Sequence, residues 1–319
     1  MNHAHPPLAA VRPAVALALE EDLLPLGDLT ASLLPASTVG EAAFVSRAGG
    51  VLAGTACAIE TCRQVDGELE VTFRLDDGDV VSPGEVIGTV RGRWASIVTA
   101  ERTSLNFLCH LSGVATLTSR YVEAATVRNP GCRILDTRKT TPGLRALEKA
   151  AVRAGGGTNH RGSLSEGVLV KDNHLGKASI TDAVLRALEL WPGRMIEVEC
   201  DRIDQVAEAV EAGATLVLCD NMTPAQLREC VDLVRAHPRG QARSVLVEAS
   251  GGVTLETVGD LAAAGADFVS VGALTHSAAI LDIGLDLLDG LPDTVLFEPP
   301  ADRSEPSTRP VSEFPHGLG

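Results

Sequence analysis

Aromatic residues are scarce. Only 3% of the 319-residue chain is Phe, Trp or Tyr, too few for the stacking platforms that hold single-stranded nucleic acid. Positive charge is also scarce. Lys and Arg number 27 against 42 Asp and Glu, a net charge of −15, which argues against broad contact with a nucleic-acid backbone or an anionic membrane surface. No uncharged run reaches the length of a membrane span. The opening MNHAHPPLAAVRPAVALALEED has its apolar stretch broken by Arg12 and Pro13, so it does not read as a signal peptide. Paired cysteine spacing is missing too. Cys57, Cys62, Cys109, Cys132, Cys200, Cys219 and Cys230 predict reduced, buried thiols rather than a disulfide framework or a zinc site. A cytoplasmic protein is the expectation.

What the chain has is aliphatic bulk. It is 45% apolar, with a mean hydropathy of +0.15, enough for the cores of about two domains. Residues 1–11 are expected to form a frayed arm, and Val15 to Leu24 a helix. Residues 40–95 break into short strands punctuated by Gly, Asp-Gly and Pro-Gly. Within them, DGDVVSPGEVIGTV faintly resembles a biotinyl or lipoyl hairpin, but such carriers need a lysine at the tip and no lysine precedes Lys139. Val98 to Arg128 reads as one helix or two, with Gly113 the candidate break. Ser179 with Asp182, and Thr223-Pro224 with Gln226, have the spacing of capping boxes at helix starts. Ser277 to Leu288 reads as a last helix, and 291–319 as a Pro-rich, disordered tail.

From Arg133 onward six apolar runs each end in polar residues: RILDTRK, GVLVKDNH, MIEVEC, TLVLCDN, SVLVEASGG and DFVSVG. Amphipathic stretches separate most of them, the pattern of parallel strands with crossover helices. Six strands leave open a partial barrel or an open doubly wound sheet. In either, the site lies at the C-terminal ends of the strands.

Those ends carry the chemistry. Arg138 and Lys139 are adjacent cations that repel each other unless an anion lies near them, and they suit carboxylate or phosphate. GGGTNHR places His160 and Arg161 after a flexible triple glycine. Lys171 leaves a wholly apolar strand, where an unpaired ammonium is costly. It is either a carboxylate partner, the favoured reading, or a Schiff-base nucleophile. Glu199 and Asp220 end successive strands; they are candidate Mg2+ ligands, neutralising partners of the cations, or both. Ser250-Gly251-Gly252 and Gly272 to His276 precede helices and are candidate phosphate sites. Position alone makes Arg102 a surface residue.

Taken in order, EDLLPLGDLT, ERTSLNFLCHLSG, DTRKTTPGLR, GGGTNHR, LVKDNH, IEVEC, LCDN, EASGGV and VGALTHS resemble the quinolinate phosphoribosyltransferases. The resemblance runs from about Glu20 to about Leu288. It departs at Ala154, where the family often has Cys. It implies an N-terminal α/β sandwich (1–113), an incomplete, TIM-like α/β barrel (114–274), and a C-terminal helix (275–290) packing back on the first domain. It implies decarboxylating transfer from phosphoribosyl pyrophosphate to quinolinate, with Mg2+, in de novo NAD biosynthesis. It also implies a homodimer in which Arg102 reaches the neighbouring site. Arg102, Arg138, His160, Arg161 and Lys171 would hold quinolinate. Lys139, Glu199, Asp220, Ser250, Gly251, Gly252, Gly272 and His276 would surround phosphoribosyl pyrophosphate and the metal, with Lys139, Lys171, Glu199 and Asp220 as the catalytic set. The alternative is a sister transferase of the type found with molybdate transport, acting on another acceptor.

Overall fold

The computed structural model describes residues 5–176, 178–241 and 245–288; the tail expected at 291–319 lies outside them. Helix α1 (Leu8–Leu23) comes first. It starts well before Val15, inside the arm expected to fray, because Val11, Val15 and Leu19 form an i, i+4, i+8 stripe that is buried. Next come β1 (Val39–Ser46), β2 (Gly50–Val51), α2 (Thr55–Val65), β3 (Glu70–Phe73), β4 (Val80–Val81) and β5 (Val86–Arg93).

Helix α3 (Trp94–Thr126) joins the two halves as one unbroken element. Gly113 does not interrupt it. A β-carbon there would stand 2.2 Å from the Ala279 carbonyl oxygen, so the glycine admits the returning chain across the helix. Ile97, Leu105 and Leu108 of α3 enter the core of the N-terminal half, while Leu111, Val114 and Tyr121 enter that of the second half.

The second half alternates strand and helix: β6 (Arg133–Leu135), α4 (Arg145–Ala154), β7 (Val168–Val170), α5 (Asp172–Leu175), α6 (Ile180–Leu190), β8 (Ile196–Cys200), α7 (Ile203–Ala212), β9 (Leu216–Asp220), α8 (Pro224–Ala236), α9 (Pro238–Gln241), β10 (Leu246–Ser250), α10 (Val258–Ala263), β11 (Phe268–Ser270) and α11 (Ala273–His276). All six apolar runs are strands. Both capping boxes form, at Ser179 and Thr223.

The six strands make a parallel sheet in the order β6-β11-β10-β9-β8-β7. Strands consecutive in sequence, β6 and β7, are its two edges, so the sheet curls into a barrel left open between them. Beside β6 the chain following α4 runs extended. Thr158 donates to the Ile134 carbonyl at 2.8 Å and accepts from the Asp136 N–H at 3.2 Å. The GGGTNHR segment therefore carries His160 and Arg161 to the barrel opening.

The helix expected over Ser277–Leu288, and within the 275–290 segment, is not formed. Residues Ile283–Leu287 are a strand, β12, antiparallel to β1 in the sheet order β12-β1-β5-β3. Alternation explains the difference. Ile283 is buried and Leu285 stands opposite Phe44, a period-two pattern in a segment too short to show helical period clearly.

Candidate active site

Ten of the strand-end residues and their neighbours face one cavity of about 600 Å³ at the C-terminal mouth of the barrel: Arg138, Lys139, His160, Arg161, Lys171, Glu199, Asp220 and the Ser250-Gly251-Gly252 turn. The sheet register brings them together. Val170 is level with Val198, so Lys171 emerges beside Glu199 and their side chains form an ion pair. Asp220 is level with Ser250, and Asn221, at φ 55°, donates its backbone N–H to Ser250 at 2.9 Å. Gly251 has φ 94°, and a β-carbon on it would meet Asn221 Oδ1 at 2.2 Å. Only glycine fits this turn. The helix after it begins at Val258, so this loop offers turn backbone rather than a helix terminus.

The cationic side of the cavity is short of partners. Arg138 Nε is buried and meets no acceptor among the described residues. Arg161 donates to the Gly167 carbonyl at 2.8 Å; burial holds its pKa below the ordinary value against the attraction of Glu197, and the charge of Arg138 adds to the lowering. Two guanidinium groups that repel each other at one wall make a site for an anion. Thr275 Oγ1 donates to the Lys139 carbonyl at 2.8 Å. Gly272 and His276 abut Lys139: a β-carbon on Gly272 would lie 3.0 Å from His276 Nε2 and 3.2 Å from Lys139 Cδ. They back that side of the cavity rather than line it. Arg102 is exposed on α3 and is absent from the chain's own cavity.

Beneath the cations lies a buried network that the strand-end pattern did not reveal. Asp136, directly after β6, is 0% exposed. It pairs with Lys149 of α4 and accepts from Asn159 Nδ2 at 2.6 Å and the His160 N–H at 2.8 Å. Lys149 also donates to the His160 carbonyl at 2.7 Å. Glu148 accepts from the Thr141 N–H at 3.1 Å and lies 2.9 Å from His110 Nε2, tying the loop after Arg138-Lys139 to α3. The signal for Asp136 was present in RILDTRK, as the first polar residue after the strand.

His160 has both ring nitrogens committed. Nδ1 accepts the Arg161 N–H at 2.8 Å, and Nε2 stands 3.0 Å from Glu197 and 3.5 Å from Glu248. Burial opposes a charge on this ring, but the Glu197 contact and the charges of Glu197 and Glu248 outweigh it and raise its pKa above 6.5. A second proton would have to sit on Nδ1, facing the Arg161 N–H. The geometry therefore assigns the neutral ring with its proton on Nε2.

With this geometry in view, the comparisons with known proteins decide the family. The model of the quinolinate phosphoribosyl transferase N-terminal domain matches residues 28–112, and that of the C-terminal domain residues 114–286. The chain belongs to the quinolinate phosphoribosyltransferase family. It is 42% identical to a nicotinate-nucleotide pyrophosphorylase [carboxylating] of Mycobacterium leprae, over 87% of this chain and 97% of that protein. It is 39% identical to a probable one of Bacillus subtilis, over 82% and 88%. The structure of the nicotinate-nucleotide pyrophosphorylase from Francisella tularensis superposes with a TM-score of 0.82 at 35% identity, covering 88% of this chain and 97% of that one. Family membership agrees with the α/β architecture and the barrel.

Proposed function

We propose that the chain transfers the phosphoribosyl group of phosphoribosyl pyrophosphate to quinolinate, releasing pyrophosphate and CO2 and forming nicotinate mononucleotide. It is a carboxylating nicotinate-nucleotide pyrophosphorylase. The observation that carries this is the convergence of Arg138, Lys139, Arg161 and Lys171 on one cavity in a chain of net charge −15, with Arg138 Nε buried and unpaired. Arg138, Arg161 and Lys171 take the two carboxylates of quinolinate, and His160 orients Arg161 through its backbone. Lys139 and the Ser250-Gly251-Gly252 turn take phosphate, with Gly272 and His276 behind Lys139.

Glu199 and Asp220 suit Mg2+. They are hard oxygen donors on neighbouring strands, both open to the cavity, and the ion ordinarily takes one or two carboxylates plus substrate phosphate oxygens. When bound, Mg2+ would neutralise charge on the pyrophosphate. Lys171 holds one oxygen of Glu199, leaving the other for the metal.

The chain's contribution is positioning and charge stabilisation. The cations hold the pyridine nitrogen in line with the anomeric carbon. As the C–N bond forms, the C–O bond to pyrophosphate breaks, and Lys139 stabilises the leaving oxygen. The ring nitrogen is then cationic. The adjacent carboxylate leaves as CO2, its electron pair stays on the ring carbon beside that charge, and solvent supplies the proton. No covalent enzyme intermediate is needed, so Lys171 acts as a carboxylate partner.

The working form proposed is a homodimer in which the exposed Arg102 completes the neighbouring subunit's acceptor pocket. No described helix is long and apolar enough to cross a membrane, and the proposed location is the cytoplasm. Parallel assays with quinolinate and with nicotinate test the acceptor. Mononucleotide from quinolinate alone is expected; equal turnover of nicotinate would refute the dicarboxylate pocket.

A further inference from the structure

Under the acceptor pocket, against His160, lie two glutamates that the mechanism does not use. Glu197 of β8 and Glu248 of β10 are both 0% exposed, and none of their four carboxyl oxygens has an aligned hydrogen-bond donor among the described residues. Their nearest ligand-type atoms and His160 Nε2 all lie within 4.8 Å of one another. Two ionised carboxylates cannot share such a place at low cost. Either a metal ion or a proton must compensate.

The imidazole decides between them. A metal-bound histidine ordinarily binds through one nitrogen and donates the N–H of the other to an acceptor. Here Nδ1 itself accepts, from the Arg161 N–H at 2.8 Å, so the ring's proton is on Nε2, the atom a metal in this cluster would need. The set is therefore built around protons.

We propose that Glu248 is held as a neutral carboxylic acid facing Glu197, and that Glu248, Glu197 and His160 together form a positioning device for Arg161. An acid brings its own donor into a place that has too few. It also avoids a second buried negative charge beneath the pocket where Arg138, Arg161 and Lys171 must hold a dianion. With Nε2 turned to the glutamates, Nδ1 is set against the Arg161 N–H. The groups around Glu248 agree. Burial and the charge of Glu197 push its pKa well above the usual carboxylate range. Among the described residues, Arg161, Lys149 of α4 and Cys219 of β9 also act electrostatically on the cluster.

The kinetic part of this inference rests on the quinolinate reading, and the protonation state does not. Infrared spectra of the intact protein at neutral pH should contain the C=O stretch of an un-ionised carboxyl group. That band should shift with ¹³C-labelled glutamate and vanish in Glu248→Gln. Its absence from the wild type would overturn the proposal, as would a metal ion that co-purifies stoichiometrically and is lost in Glu248→Leu. In kinetics, Glu248→Gln, which keeps shape and a donor, should hold the quinolinate KM within about threefold. Glu248→Leu should raise it about tenfold or more, with the KM for phosphoribosyl pyrophosphate unmoved. Equal impairment in both variants would refute the positioning role. The band in a wild type inactive on quinolinate would uphold the neutral carboxyl and sink the acceptor reading.

Discussion

Replacing Asp136 with Ala removes the acceptor on which the 158–161 segment and α4 converge. Asp136 takes the Lys149 ammonium, Asn159 Nδ2 at 2.6 Å and the His160 N–H at 2.8 Å, all at 0% exposure. In Asp136→Ala the Lys149 side chain, 8% exposed, keeps only carbonyl company. Breaking one side of a buried pair costs about 3–5 kcal/mol, because the remaining charge is stranded. The pair as a whole adds far less. Burial raises the Asp136 pKa even though Lys149, Asn159 and the His160 N–H all oppose it, so desolvation outweighs the attraction. Asp136→Asn with Lys149→Met should therefore lie within about 1–2 kcal/mol of wild type, a double-mutant cycle with strong coupling. Thermal melts read this directly. At roughly 2–4 °C per kcal/mol for a domain of this class, Asp136→Ala should melt about 6 °C or more below wild type, and the double variant near it. A single variant within about 2 °C of wild type, or a double variant worse than either single one, would refute the buried-network reasoning.

Three further outcomes are expected. Gly251→Ala should keep the fold but raise the KM for phosphoribosyl pyrophosphate about tenfold or more, since its new methyl displaces Asn221 from the phosphate turn; steady-state kinetics with quinolinate saturating checks it. Arg102→Ala and Lys171→Ala should each be nearly inactive, yet mixed dimers should recover roughly a quarter of wild-type activity, because half the dimers are mixed and one of two sites in each is intact; no recovery on co-expression would refute the shared site. Asp220→Asn should weaken Mg2+ dependence selectively, shifting the activation curve to higher metal concentration while quinolinate binding, followed by calorimetry, stays unchanged.

The barrel was legible because its strands are continuous apolar runs, and a parallel strand buried on both faces has that composition. The cavity at the barrel mouth was legible for the same reason: Arg138, Lys171, Glu199 and Asp220, which line it, are conspicuous where such runs stop. Glu248 and Glu197 were harder to read because they lie inside the runs. A single carboxylate within SVLVEAS looks like a solvent-facing alternation until the curled sheet turns that face inward. Lys149 was unreadable because its meaning depends on Asp136, 13 residues away at the end of β6. Residues Ile283–Leu287 were misread because a five-residue edge strand leaves too few positions to separate period two from helical period. Arg102 shows the limit of a single chain: the helix pattern makes it a surface residue, it is exposed, and its proposed role needs a second subunit.

The most direct measurement is the stoichiometry of products from phosphoribosyl pyrophosphate, Mg2+ and quinolinate carrying labelled carbon in the carboxylate next to the ring nitrogen. One labelled CO2 per pyrophosphate and per nicotinate mononucleotide is the predicted result. Pyrophosphate release without labelled CO2, or with nicotinate serving equally well, would contradict the account.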